Sequence, residues 1–121
     1  MNKTSQSSSK SLINMPNKVS QIIQRFAKDT RKILKENVFE EYLFGSYATK
    51  DQTPLSDIDI LIIVNTLNPE IRRQMSGLAS DYSLQYGIYI SPILKARKVW
   101  EKNKQYQTLF YTEITQYGIP L

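Results

Sequence analysis

Five consecutive apolar residues, Ile60-Leu61-Ile62-Ile63-Val64, are entered through two aspartates, Asp57 and Asp59, and limit the folds open to this chain. Most of the run is β-branched, so it reads as a buried strand. Side chains alternate faces along a strand, so the two carboxylates point the same way, roughly 6.5–7 Å apart along the backbone. Two acids at that spacing can share one or two metal ions. Mg²⁺ takes hard oxygen ligands, usually one or two carboxylates completed by water and substrate phosphate. Asp57 and Asp59 are therefore the candidate metal ligands and catalytic acids.

Upstream, Val38 to Phe44 fits a short strand that Gly45-Ser46 breaks. Glycine permits a tight turn and close approach to the backbone, and Ser46 is expected to cap the helical turn that follows. A helix N-terminus attracts phosphate. Lys50, one turn on, can add a point charge. Gly45, Ser46 and Lys50 are thus the candidate nucleotide-binding residues. Taken singly, a Gly-Ser pair is a turn and an Asp-x-Asp pair a solvated strand end. Their succession, with Pro54 and Ser56 between them, points instead to nucleotidyl transfer.

At these residues the chain resembles the minimal nucleotidyltransferases of the DNA polymerase β superfamily, and among them the MntA-like antitoxins of HEPN/MNT toxin–antitoxin pairs. Their hallmark is Gly-Ser, about ten residues, then Asp-x-Asp, matched here by Gly45, Ser46, Asp57 and Asp59. Ser56-Asp57-Ile58-Asp59-Ile60 is typical wording. Two departures stand out. Family members often carry Ala-Arg-Gly where this chain has Ala48-Thr49-Lys50. Many also place a third carboxylate on a later strand, whereas the candidate strand Ile88–Leu94 has no acid, only the hydroxyls of Tyr89 and Ser91 on that face. Metal binding is then expected to be weaker or differently completed, with Glu101 and Glu113 as candidate donors.

The fold class expected is α/β: a small polymerase β-like mixed sheet of three or four strands with helices packed on one side. A first helix is expected from Asn17, as its cap, to about Glu36, with Val19, Ile22, Ile23, Phe26, Ile33 and Leu34 forming its apolar stripe. A second opens at Asn68-Pro69 and runs to about Tyr86, with Arg72 and Arg73 in its first turns. Gly87 ends it. A third strand over Ile88–Leu94 carries Pro92, which suggests an edge or a bulge. A last helical region spans about Lys98 to Tyr117.

At 121 residues the chain is expected to form one domain, residues 16–121, behind a disordered Ser/Lys-rich leader over 1–15. It contains no cysteine or histidine, which excludes disulfides, thiolate or imidazole metal sites and His-based triads. The net charge of +5 does not signal nucleic-acid binding: Met1 to Lys28 holds five cations and no acid, and the remainder carries eleven charges of each sign. No apolar run has the 18 or more residues of a membrane span. The expected location is cytoplasmic. Eight tyrosines suit either a core or a protein-recognition face.

The resemblance implies a Mg²⁺-dependent transfer of AMP from ATP to a hydroxyl, with a tyrosine of a HEPN-type RNase toxin as acceptor and this chain as its antitoxin. Two other readings stand beside it. One is a binding module that has lost turnover and neutralises its partner by occlusion. The other is a small-molecule, antibiotic-type nucleotidyltransferase.

Overall fold

The computed structural model describes residues 17–121. The leader over 1–15, and the capping role expected of the Asn17 side chain, lie outside what it describes. Its centre is strand β2 (Ile58–Val64), in which every residue except Asp59 is buried. β2 pairs antiparallel with β1 (Val38–Phe44) and parallel with β3 (Ile90–Ala96). A two-residue strand β4 (Ile119–Pro120) adds to the free edge of β1, giving the order β3-β2-β1-β4. The parallel pair needs a crossover, supplied by a helix over Pro69–Tyr86.

Helices cover both faces of the sheet, not one side as expected. In β2, Ile58, Ile60, Ile62 and Val64 face α1 (Asn17–Leu34), through its Ile22, Ile23 and Phe26. Leu61 and Ile63 point the other way and lie beneath Trp100 and Ile114. The physical reason is in the sequence: an unbroken apolar run is apolar on both faces of its strand, so each face needs cover.

In α1 the buried stripe runs through Ile22, Ile23, Phe26, Ala27, Thr30 and Leu34. Ile33, expected on that stripe, is 37% exposed, because it lies a hundred degrees around the helix from Leu34. A one-turn 3₁₀ segment (Lys35–Asn37) then leads into β1.

A short helix α2 (Ser46–Thr49) follows β1, and the crossover helix α3 (Pro69–Tyr86) begins as expected: Asn68 Oδ1 accepts from Ile71 N at 2.9 Å, and Pro69 occupies the first turn. Gly87, at φ 67°, closes it. β3 starts two residues later than expected and ends later too. Its Pro92 is tolerated because β3 is an edge strand.

The last helical region is two helices, α4 (Arg97–Gln105) and α5 (Leu109–Tyr117). Thr108 divides them: its hydroxyl accepts from Tyr111 N at 3.2 Å and donates to Asn103 Oδ1 at 2.6 Å. The break lets Trp100 of α4 and Ile114 of α5 close over the same apolar patch. Among the described residues no helix is long and apolar enough to cross a membrane.

Candidate active site

The antiparallel register brings the end of β1 to the start of β2, setting Phe44 opposite Asp59. Gly45 follows at φ 75° and ψ −155°, a backbone conformation that side-chain-bearing residues avoid. A Cβ on Gly45 would overlap Asp59 Oδ2 and lie 3.1 Å from its Cγ. The glycine is therefore required twice, for its dihedral and for the room it leaves the carboxylate.

α2 is a single helical turn, in which Ala48 N and Thr49 N donate to the Gly45 carbonyl at 3.0 and 3.2 Å. Gly45 is its N-cap and no side chain caps it, so Ser46 is the first helical residue and not the cap expected from sequence. Lys50 ends the turn in the left-handed region, at φ 67°, with its side chain exposed. A second turn delivers the acids: Thr53 N donates to Ser56 Oγ at 2.8 Å, and Ser56 N to the Thr53 carbonyl at 3.0 Å.

Asp57 stands immediately before β2 and Asp59 within it. Between them, Ile58 N donates to the Tyr89 carbonyl at 2.9 Å, tying the pair to the start of β3. The Asp59 carboxyl is held above the usual carboxylate range, first by burial and then by the negative charge of Asp57. Neither carboxylate has a hydrogen-bond or ion-pair partner among the described residues. A half-buried carboxylate held beside an exposed one of like charge, neither of them partnered, is an arrangement that a hard cation relieves. The donor set thus fits Mg²⁺, with phosphate oxygens and water completing the shell.

No third acid joins them: among the described residues no three carboxylates come together. The parallel register sets Ser91 beside Asp59, so a hydroxyl occupies the neighbouring-strand position. Glu101 is paired with Arg97 at 3.2 Å on an exposed flank. Glu113 reaches the neighbourhood of Gly45 but forms no acidic cluster there. Arg72 and Arg73 open α3 beyond the far end of β2, and so stand away from the acids.

Two concavities flank the pair. On the β1 side a cavity of about 300 Å³ is walled by Phe44, Gly45, Thr49, Phe110, Glu113 and Tyr117. On the β3 side a groove of about 450 Å³ runs past Asp57, Ser76, Ser80, Ser83, Tyr89 and Ser91. Tyr89 and Ser91 were expected from sequence on the face of the acids, and Glu113 near them; Phe110, Tyr117 and the α3 serines were not. Phe110 and Tyr117 reach the site through the placement of α5, and the serines through the lie of α3 beside β3, for which no local pattern exists.

Comparison with known proteins agrees with this geometry. Residues 23–117 match the family model described as "Nucleotidyltransferase domain". The chain is 37% identical over 103 residues to the Methanocaldococcus jannaschii protein named "Putative protein adenylyltransferase MJ0141", covering 84% of this chain and 96% of that one. It is 28% identical over 96 residues to "Putative protein adenylyltransferase MJ0604" of the same organism, covering 79% of this chain and 90% of the relative. Among solved structures, a chain from a toxin–antitoxin crystal structure with AMP-PNP superposes with a TM-score of 0.52 at 18% identity, covering 80% of this chain and 70% of that one. At that identity the likeness concerns the fold.

Proposed function

Because the chain belongs to the nucleotidyltransferase domain family, we propose that it transfers AMP from ATP to a hydroxyl of a partner protein in the cytoplasm, releasing pyrophosphate. The observation that carries this reading is the seating of Gly45 against the Asp59 carboxylate. It sets a backbone that can approach phosphate beside a pair of acids that repel each other. In this reading the turn at Gly45 and Ser46 cradles the outer phosphates, the Ser46 hydroxyl donates to one of them, and Lys50 adds positive charge from the exposed flank. Asp57 and Asp59 would hold Mg²⁺, which neutralises charge on the triphosphate. The likeness to a relative named for protein adenylylation, along almost its whole length, supports a protein acceptor.

The finer reading is that the acceptor is a tyrosine of a HEPN-type RNase toxin, and this chain its antitoxin. It rests on the Gly45-to-Asp59 motif and agrees with the fold shared with a toxin–antitoxin chain. One observation favours a second reading, neutralisation by occlusion without turnover: Ser91, not an acid, stands beside Asp59. Asp57→Asn separates the two. If transfer silences the toxin, RNase inhibition by the variant collapses while its complex with the toxin still forms. If occlusion suffices, inhibition survives.

A further inference from the structure

We infer that Tyr89 is a nucleotidyl acceptor in this chain, so that the protein modifies itself at the mouth of its own site. The inference rests on the nucleotidyl-transfer reading above, and begins from the order of the sheet. β3-β2-β1 sets the aspartate pair between the Gly45-Ser46 turn on one flank and residues 89–91 on the other. In phosphoryl-type displacements the attacking and leaving oxygens lie roughly in line. With the outer phosphates at the Gly45 turn, pyrophosphate departs toward β1. The entering oxygen must come from the β3 side, where Tyr89 stands.

Tyr89 is held there by its backbone. Its carbonyl accepts from Ile58 N at 2.9 Å, which places it one strand spacing, about 4.8 Å, from the aspartate segment. It precedes β3, so no strand neighbour fixes its ring, and it is 67% exposed. It also shares the groove with Asp57. Its phenol has no hydrogen-bond partner among the described residues. Four other tyrosines differ, and Tyr106, 71% exposed, does not line the groove. Tyr82 donates to Asp29 at 2.7 Å, Tyr86 accepts from Arg25 at 2.8 Å, and Tyr42 donates to Glu40 at 3.0 Å. Tyr117 lies with Gly45, on the leaving-group side. The serines of the same groove are too short to span a strand spacing, whereas a tyrosine is long enough.

The step balances simply. A lone pair of Tyr89 Oη attacks the α-phosphorus of a nucleoside triphosphate, the Oη–P bond forms, and the bond from that phosphorus to the bridging oxygen of the β-phosphate breaks. Pyrophosphate leaves and the phenolic proton passes to water. The product is a phosphodiester that fills the groove beside Asp57, where an outside acceptor would otherwise enter.

The test is incubation of the full chain alone with ATP and Mg²⁺, read by intact mass and peptide mapping. The expected result is a gain of one AMP on the peptide that carries Tyr89, absent in Tyr89→Phe and in Asp57→Asn. When a tagged Asp57→Asn chain is mixed with wild type, the label should stay on the wild-type chain. Label on another residue, or label persisting in Tyr89→Phe, overturns the inference. Wild type that labels a partner protein but never itself also overturns it, and leaves the proposed function standing. Wild type that labels neither removes both.

Discussion

Gly45 and Asp59 occupy one space: the glycine's missing Cβ is where the aspartate's carboxylate lies. The β1–β2 register enforces this, since Phe44 faces Asp59 and Gly45 is the next residue. The turn and the acid pair, separate in sequence, are therefore one mechanical unit.

Gly45→Ala strains both halves of that unit. The positive φ alone costs about 1–3 kcal/mol, and the Cβ must also push the Asp59 carboxylate aside. We expect a lower urea midpoint and a loss of transfer of roughly 100-fold, the scale of an ångström's misplacement of a reacting group. Transfer within a few-fold of wild type would show that the carboxylate's position is not critical.

Asp59→Asn should stabilise the metal-free protein at neutral pH while abolishing transfer. The Asp59 carboxyl is raised by burial and by Asp57, so the folded chain keeps a proton that the unfolded chain has released. Its stabilising contribution is greatest below the ordinary aspartate value of 3.8 and is lost as pH rises through the folded value. Melting curves in chelator should put the variant above wild type at pH 7 and level with it in acid. Mg²⁺ should raise the wild-type midpoint more than the variant's. A variant less stable than wild type in chelator at pH 7 would contradict this electrostatic account.

Glu41 makes a similar statement far from the acids. Its side chain is fully buried on the α1 face, neither carboxylate oxygen has a hydrogen bond, and Arg31 Nε lies 3.4 Å away and half exposed. Burial raises its pKa from 4.5 to about 7, against the opposing pull of Arg31. Stability contributed by the retained proton is full below pH 4.5 and lost as pH rises through about 7. The change is on the order of 3 kcal/mol. Glu41→Gln should therefore exceed wild type in stability at pH 8, with the difference closing near pH 4. A difference independent of pH would mean that Glu41 titrates in the fold as it does in the unfolded chain.

Ser91→Asp should convert the two-acid site into a three-acid one, because Ser91 stands beside Asp59 in the parallel register. An added charge a few ångströms from a cation is worth roughly 1–4 kcal/mol between watery and protein-like screening. Calorimetry should show Mn²⁺ or Mg²⁺ binding tightened by about tenfold or more, with a lower melting point in chelator. Unchanged metal affinity would mean that position 91 does not face the ion.

What was legible in the sequence was local. The strand–turn–acid stretch and the punctuation of α3 by Asn68, Pro69 and Gly87 each depend on neighbouring residues, and each was foreseen. The two-sided cover of the sheet was also written there, in Leu61 and Ile63, but a helix on one face satisfies the same pattern unless both faces are counted. What failed depended on tertiary contact. Gly45 displaces Ser46 from the cap because Asp59 lies behind it. The break between α4 and α5 is the exception, a local signal that was missed: Thr108 caps α5 at Tyr111 N and bonds Asn103 five residues back. Ile119 and Pro120 become a strand only because the edge of β1 is open to them, with Leu121 N donating to the Glu41 carbonyl at 3.0 Å. In the site, the facing of Gly45 and Asp59 follows from one hairpin-like register, whereas the walls formed by Phe110, Tyr117 and the α3 serines follow from distant packing.

The most direct measurement is the intact mass of a HEPN-domain protein from the same genome after incubation with this protein, ATP and Mg²⁺, beside an Asp57→Asn/Asp59→Asn control. We expect a gain of one or more AMP units on the partner, absent with the control and mapping to a tyrosine. A stable complex with no mass gain from any of the four nucleoside triphosphates would contradict it.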